Sequence, residues 1–230
     1  MTSPSAPSRF DIFQWLPDEV CDDFNRSAQC QRYAQGAAIY YQGDRGDRMF
    51  RLLSGAVRLS VARISGRELL YVLFEPCDCF GVSSLIDGEG WPHTAEAGED
   101  LEIQVLHKPA FDQLRAKYPE FNDALLRLVS RQMRILSEFF ADAHLEDMTA
   151  RIASRIVAAA GSFGMAADGG IGLSIGLTQA ELALMVGGSR QTVNKVLQQF
   201  HKDALVSIKG GRLIIHSVEG LQSKASRRQV

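Results

Sequence analysis

The stretch that decides the fold runs from residue 177 to residue 200 and reads Leu177-Thr-Gln-Ala-Glu-Leu-Ala-Leu-Met-Val-Gly-Gly-Ser-Arg-Gln-Thr-Val-Asn-Lys-Val-Leu-Gln-Gln-Phe200. Thr178 and Glu181 have the spacing of a capping box, which predicts that a helix begins there. Gly187 and Gly188 allow a sharp turn because glycine tolerates positive φ, and Ser189 is a good N-cap for a second helix. The stretch therefore predicts two short helices separated by a tight turn.

The predicted second helix has an apolar face and a polar face. The apolar residues follow helical spacing and are Val193, Val196, Leu197 and Phe200. The polar face is long, cationic and without a carboxylate, and it consists of Arg190, Gln191, Asn194, Lys195 and Gln198. Arginine and lysine pair with guanine in the major groove, and asparagine and glutamine pair with adenine. A solvated helix face is the alternative, but the turn glycines and both caps favour a helix-turn-helix that reads DNA.

A family resemblance rests on this stretch. The segment Val186-Gly-Gly-Ser-Arg-Gln-Thr-Val-Asn-Lys195 resembles the Val-Gly-x-Ser-Arg-Glu-Thr-Val-x-Arg/Lys motif of the bacterial CRP/FNR regulators, and a weaker resemblance extends over about residues 16 to 217. It implies an α+β chain with an N-terminal antiparallel β-roll of the cyclic-nucleotide-binding type, a long dimerisation helix and a C-terminal winged helix-turn-helix. It also implies a homodimeric transcriptional regulator whose partners are double-stranded DNA with a near-palindromic operator and RNA polymerase. Because Gln191 replaces the glutamate that family members often have, the family operator is not carried over.

Charge is unevenly distributed along the 230 residues. The net charge is −2, with +4 on residues 145–230 and −6 on residues 1–144. A basic C-terminal half is typical of a nucleic-acid-binding module attached to a domain of another kind. The chain shows neither a membrane-spanning run nor a signal core, so we expect a cytoplasmic protein without a membrane partner.

The sequence divides into four predicted parts. Residues 1–9 are polar and rich in Pro and Ser, which indicates a disordered tail. Residues 10–118 contain short β-prone runs between recurring glycines, which predicts a β-roll sensor domain. Residues 119–143 form the long dimerisation helix, and residues 144–230 form the DNA-binding domain. Within the last part, residues 161–172 are expected to be a flexible loop.

The long helix carries two apolar stripes with nearly heptad spacing. One stripe comprises Leu126, Val129, Met133, Leu136 and Phe140. The other is assigned to the dimer interface and comprises Phe121, Leu125, Leu128, Gln132, Ile135 and Phe139. One stripe can pack on the roll of the same chain, and the second needs another partner, for which the resemblance implies the same helix of a second subunit. A single helix buried on all sides is the alternative.

Two further groups of residues are expected to meet phosphate. Lys209 and Arg212 flank a Gly-Gly pair between β-prone runs, which predicts the hairpin of a winged helix-turn-helix. Thr178, Gln179 and Ser189 lie at predicted helix N-termini, where backbone N–H groups attract phosphate. The basic tail that contains Lys224, Arg227 and Arg228 either adds nonspecific affinity or has no role.

The expected effector pocket departs from the family pattern. In members that bind cAMP, a Gly-Glu pair, an Arg followed by Ser or Thr, and a Thr-Ser pair hold the ligand. The residues at or near those positions here are Gly81, Val82, Ser83, Ser84, His93, Thr94 and Ser137. Val82 cannot accept a hydrogen bond, and a neutral histidine lacks the fixed fork of donors that arginine has. We therefore expect the pocket to bind cAMP weakly or not at all, and to be vestigial, to bind a different ligand, or to use His93 as a pH-dependent anion donor.

The four cysteines and the winged helix each suggest an alternative function. Cys21, Cys30, Cys77 and Cys79 lack zinc-finger spacing, and the first two are too far apart for a closely spaced iron–sulfur group. We expect no resident cofactor, neither an iron–sulfur cluster nor haem, beyond a small-molecule effector, which is a cyclic nucleotide or another compound. A redox- or metal-responsive regulator and a sensor whose winged helix binds a protein remain open. The sequence shows no motif of a catalytic site, so we do not expect an enzyme.

Overall fold

The computed structural model describes residues 8–167, 169–210 and 212–225, in two compact units. Of these residues, unit 1 comprises 8–64 and 71–136, and unit 2 comprises 65–70 and the described residues from 137 to 225. In the part of the chain that the structure describes, no helix is both long enough and apolar enough to span a bilayer.

The roll consists of two four-stranded antiparallel sheets. The strands are β1 (Gln29–Tyr33), β2 (Ala38–Tyr40), β3 (Arg48–Ser54), β4 (Val57–Ala62), β5 (Glu68–Phe74), β6 (Cys79–Phe80), β7 (Thr94–Ala97) and β8 (Leu101–His107). One sheet has the order β1-β8-β3-β6 and the other has the order β2-β7-β4-β5. The alternation expected of a half-buried strand is clearest in β4, where Val57 and Leu59 are buried and Arg58 and Ser60 are only partly covered. The predicted β-roll is confirmed.

Among the described residues, this unit also contains a 3-10 turn at Phe13–Trp15 and three shorter α-helices, each with a proline or glycine at its start. They are α1 (Asp18–Ser27), α2 (Val82–Asp87) and α3 (Lys108–Lys117). Pro17 precedes α1 and Pro109 lies in the first turn of α3, where the missing N–H costs nothing. Gly81 precedes α2 with φ +81°, and a Cβ there would lie 2.9 Å from the Arg48 carbonyl oxygen. Only glycine fits this entry to α2 without displacing β3.

The long helix α4 (Pro119–Leu145) buries one apolar stripe and exposes the other. Phe121, Leu125 and Leu128 are at most 2% exposed and belong to the core of the roll. Leu126, Met133 and Phe140 are 64–66% exposed. The stripe assigned to the dimer interface is the one that begins at Phe121, and that assignment is wrong for its three buried residues, Phe121, Leu125 and Leu128. Both stripes have the same spacing, so periodicity could not tell which of them faces the roll.

The other three residues of that stripe also have intrachain roles. Gln132 and Ile135 line a cavity in unit 1. Phe139 lies beneath the guanidinium of Arg155, whose carbon is 3.5 Å from the ring centroid, and Arg155 also pairs with Asp142 at 3.0 Å. A buried cation needs such partners, so this contact fixes the start of the C-terminal unit. The apolar stripe that stays exposed in the single chain is the one that begins at Leu126.

The C-terminal unit is a helical domain with one small sheet. Its elements are α5 (Met148–Phe163), β9 (Gly164–Ala167), β10 (Gly170–Leu173), α6 (Gln179–Val186), α7 (Arg190–Lys202), β11 (Val206–Lys209), β12 (Arg212–Ile215) and α8 (Val218–Ala225). The sheet has the order β11-β12-β10-β9. The α+β fold with a winged helix-turn-helix is confirmed. Asp147 accepts a hydrogen bond from Ala150 N at 2.9 Å and starts α5.

Two expectations at segment ends need correction. Residues 161–172 are not a loop, since they contain the end of α5, strand β9 and most of β10, and Ile171 of β10 also pairs with Ile215 of β12. That pairing partner is distant in sequence, so local composition did not reveal it. Of the expected N-terminal tail, residues 1–7 lie outside the described residues. The other two residues, Ser8 and Arg9, make contacts with the roll and with α4. Ser8 donates to Asp78, and the Arg9 carbonyl accepts from Arg131 at 2.8 Å.

Candidate DNA-reading interface and effector cavity

The first helix of the helix-turn-helix starts with the predicted capping box. The Thr178 Oγ1 accepts from Glu181 N at 3.1 Å, and the Glu181 carboxylate accepts from Thr178 N at 2.7 Å. These bonds satisfy two of the backbone donors that a helix start leaves unpaired. Gln179 is the first residue of α6, so Thr178 and Gln179 lie where backbone N–H groups can meet phosphate.

The turn between α6 and α7 is built from glycine and serine, as the sequence predicts. Gly187 has φ +63°, and Gly188 N donates to the Ala183 carbonyl at 2.9 Å, which closes the end of α6. The Ser189 hydroxyl then accepts from Thr192 N at 3.1 Å and starts α7. Local hydrogen bonds at both sides of the turn therefore fix where each helix begins and ends.

Helix α7 presents the predicted polar face to solvent and buries the other. Val193, Leu197 and Phe200 are at most 3% exposed. The predicted polar residues are all exposed, namely Arg190, Gln191, Asn194, Lys195 and Gln198. From Arg190 to Lys202 the helix contains no carboxylate. Such a face offers donors and cations to the major groove without repelling phosphate.

A hairpin with two cations follows α7. Lys209 of β11 pairs in register with Arg212 of β12, and Gly210 between them has φ +57°. Both side chains are exposed at the hairpin tip. Lys224, expected in a free basic tail, instead pairs with Asp203 at 2.8 Å. Arg227 and Arg228 of that tail lie outside the described residues.

The roll contains a cavity of about 310 Å³. Of the expected pocket residues, Gly81, Val82, Ser83 and His93 line it. Helix α4 adds Gln132, Ile135 and Leu136, and the strands add apolar and aromatic residues that include Leu59, Val61, Tyr71 and Phe74. Among the described residues that line this cavity, none is Asp, Glu, Lys or Arg. The cavity therefore has no fixed charge.

His93 is held by aromatic neighbours rather than by charges. Its Nδ1 lies 3.3 Å from the Tyr40 hydroxyl, and its ring stacks on Tyr71 with the centroids 6.1 Å apart. Burial lowers the pKa of His93 to about 4. A histidine with that pKa is neutral at pH 7, so it brings no positive charge to the cavity. Val82, at the position of the family glutamate, is 1% exposed and has no side-chain acceptor.

Three expected pocket residues do not line the cavity. Ser84 is 2% exposed and turned towards Gly46, where an added Cβ would collide with its side chain. Thr94 uses its Oγ1 to accept from Gln42 N at 3.1 Å. Ser137 is exposed and is likewise absent from the described lining. Conversely, the sequence did not assign Tyr71 to the pocket, because its strand β5 reads ELLYVLF and has no alternation that would show which side chains face the cavity.

Three of the four cysteines are shielded from solvent, and only Cys30 is exposed. Cys79 is fully buried and Cys21 and Cys77 are partly buried, and burial raises the pKa of all three thiols. A raised pKa lowers the fraction of reactive thiolate. Within the described residues, no three His, Cys, Asp or Glu side chains are grouped so that they could hold a metal.

Comparisons with known proteins agree with this geometry. Residues 30–118 match the cyclic nucleotide-binding domain, and residues 150–224 match the Crp-like helix-turn-helix domain. A CRP-like cAMP-activated global transcriptional regulator of Mycobacterium tuberculosis is 30% identical over 220 residues, 95% of this chain and 97% of that protein. The cyclic AMP receptor protein of Thermus thermophilus is 29% identical over 214 residues, 93% of this chain and 96% of that protein.

A solved structure also resembles this chain over most of its length. A CRP-family transcriptional regulator from Thermus thermophilus has a TM-score of 0.72 at 25% identity and covers 87% of this chain and 98% of its own. The two matched domains lie in the same order as the roll and the winged helix described above. The chain therefore belongs to the CRP/FNR family of transcriptional regulators.

Proposed function

We propose that this protein is a homodimeric, sequence-specific DNA-binding regulator whose effector pocket does not bind cAMP in the usual way. The observation that supports DNA reading most strongly is the exposed, carboxylate-free polar face of α7. The caps at Thr178 and Ser189 define where the two helices begin. The cations Lys209 and Arg212 pair in register at the tip of the hairpin that follows. This role requires no catalytic group.

Each part of the interface has a distinct task on DNA. Arg190, Gln191, Asn194 and Lys195 contact base edges in one major groove. The helix starts at Thr178, Gln179 and Ser189, together with the hairpin cations, contact phosphate and set the position of the reading helix. Two subunits then read half-sites about one helical turn, ~34 Å, apart, so the operator is nearly palindromic. Transcription changes when such a dimer recruits RNA polymerase or excludes it from a promoter.

The exposed stripe of α4 supports the dimer. Leu126, Val129, Met133, Leu136 and Phe140 lie at helical spacing and leave 37–66% of their surface exposed. Contiguous exposed apolar surface of this kind is typical of a protein interface, and a two-fold axis along α4 covers the same residues of both copies.

The altered pocket supports a regulator that does not depend on cAMP. A cyclic phosphate buried in this cavity meets neither a cation nor a glutamate, because Val82 and the neutral His93 occupy those positions. Burial of an uncompensated charge is costly. Calorimetry should therefore find no cAMP binding tighter than micromolar, and tighter binding would contradict this part of the proposal.

Selection of preferred sites from random duplex DNA tests the reading face. We expect a near-palindrome with a guanine opposite Arg190 in each half-site. Arg190→Ala should lose about 1–3 kcal/mol of discrimination at that position, because a bidentate contact disappears. Lys202→Ala, at the other end of the same helix, is the matched control and should keep the wild-type preference. An unchanged preference in Arg190→Ala would show that the reading face is assigned wrongly.

A further inference from the structure

The cavity of the roll lies within unit 1 and has mostly apolar walls. Phe10, Phe74 and Phe80 form an aromatic side, in which Phe74 stacks on Phe80 with the ring centroids 4.9 Å apart. Leu59 and Val61 of β4 lie on another side of the lining. At about 310 Å³ the cavity lies at the lower end of the range of about 300–1,000 Å³ that is usual for small-molecule sites.

The lining selects strongly against charge. None of the described lining residues carries a charged side chain. The histidine is neutral at pH 7, and the helix that begins at Val82 has only six residues, too short to add a substantial field. An anion that enters this cavity loses its water shell and gains no ionic partner, which costs far more than the burial of a neutral group.

A few polar groups remain to orient a ligand. His93 offers one donor and one acceptor, of which Nδ1 lies close to the Tyr40 hydroxyl. Gln132 adds an amide from α4, and Ser83 adds a hydroxyl. Mostly apolar walls with a small number of convergent polar groups are the usual composition of a site for a neutral small molecule.

We propose that the cavity binds a small, uncharged ligand with a flat and largely apolar body and one hydrogen-bonding group, which meets His93 or Gln132. The aromatic side stacks on the flat body, while Leu59, Val61 and Ile135 contact its edges. This inference deepens the proposed function by naming the chemical class of the effector. That the ligand controls DNA binding rests on the proposed function, whereas its binding to the cavity does not. Ligand binding is measured without DNA, so the cavity proposal and the DNA-binding proposal can fail separately.

The test compares two fluorescent probes that differ in one charge. N-phenyl-1-naphthylamine is neutral, and 1-anilinonaphthalene-8-sulfonate has the same ring system with one sulfonate. We expect the full-length protein to bind the neutral probe saturably, with one site per chain, and at least about tenfold more tightly than the sulfonate. Neither cAMP nor cGMP should displace the neutral probe. Sulfonate binding of equal strength, or displacement by micromolar cyclic nucleotide, would overturn the proposal.

Variants locate the probe in the cavity. Ile135→Trp fills the cavity and should weaken binding of the neutral probe at least about tenfold, since the added ring takes the space of the ligand. Ile64→Trp is the matched control, because Ile64 is fully exposed on a turn of the same unit, and it should bind like the wild type. Equal binding by Ile135→Trp and the wild type would place the probe elsewhere and reject the site.

A charge substitution keeps the test decisive if Ile135→Trp does not fold. Val61→Lys introduces a cation at a partly exposed lining position. Val61→Lys should weaken binding of the neutral probe and strengthen binding of the sulfonate probe, so that the variant prefers the sulfonate where the wild type prefers the neutral probe. Circular dichroism and thermal unfolding establish that the variant is folded. An unchanged preference in the folded variant would exclude the cavity as the binding site.

Discussion

The substitution Met133→Gln tests the exposed stripe of α4 as the dimer interface. Met133 leaves 64% of its surface exposed in the single chain. Complete burial of a methionine side chain contributes about 1.5–3 kcal/mol, so covering this exposed part contributes about 1–2 kcal/mol per copy. A two-fold axis applies the substitution twice, which makes the loss about 2–4 kcal/mol. The dimer dissociation constant should rise by about 30-fold to several hundredfold.

Sedimentation velocity over a range of protein concentrations measures this constant. Met165→Gln is the matched control, because Met165 in β9 is 58% exposed but lies outside the stripe. The control should dimerise like the wild type, and its unfolding curve shows whether the loss of an exposed methionine matters by itself. Dissociation constants that agree within about twofold for the two variants would refute the assignment of the stripe.

Three further predictions follow from other parts of the structure. Leu128→Ala removes a fully buried side chain from the core of the roll and should lower the free energy of unfolding, measured in urea, by about 2–5 kcal/mol. The dimer dissociation constant, corrected for the fraction of unfolded protein, should not change. Burial raises the pKa of Asp78 from 3.8 to about 6, so the folded state holds this proton more tightly than the unfolded state. The resulting stability is present below pH 3.8 and is lost as the pH rises to about 6, a trend that urea unfolding should show in the wild type and not in Asp78→Asn. Lys209→Ala should weaken DNA binding uniformly across sequences and reduce the salt slope by about one, and a change in base preference in a site selection would contradict a phosphate contact.

The helix-turn-helix could be predicted from sequence because its determinants are local. The Thr178 and Glu181 pair, Gly187 and Ser189 each act within three or four residues, and the structure shows the bonds that their spacing implies. Local signals of this kind do not depend on how the rest of the chain packs. The reading face followed directly, since a helix start and a 3.6-residue period determine which side chains share a face.

The orientation of α4 and the hairpin after α5 could not be predicted, because distant residues determine both. Two stripes of equal period look the same in sequence, and only the packing of Phe121 and Leu128 on the roll shows which one faces inward. Ile171 belongs to a strand because Ile215 pairs with it across the sheet.

The effector pocket could be predicted only in part. The resemblance located Gly81, Val82 and His93 at the cavity, and the residues at those positions already argued against cAMP. It could not show that Thr94 and Ser84 are turned to other neighbours, or that Gln132 of α4 closes the cavity. Those facts depend on side-chain directions in three dimensions.

The most direct test of the central claim is the affinity of the ligand-free protein for its selected DNA site over a series of salt concentrations. Contacts from Lys195, the hairpin cations and the helix starts to DNA release counterions, so the logarithm of the association constant should fall linearly and steeply with the logarithm of salt concentration. The same line should be obtained with cAMP present. A flat dependence would contradict DNA binding through this basic surface, and binding that appears only with cAMP would contradict the account of the cavity.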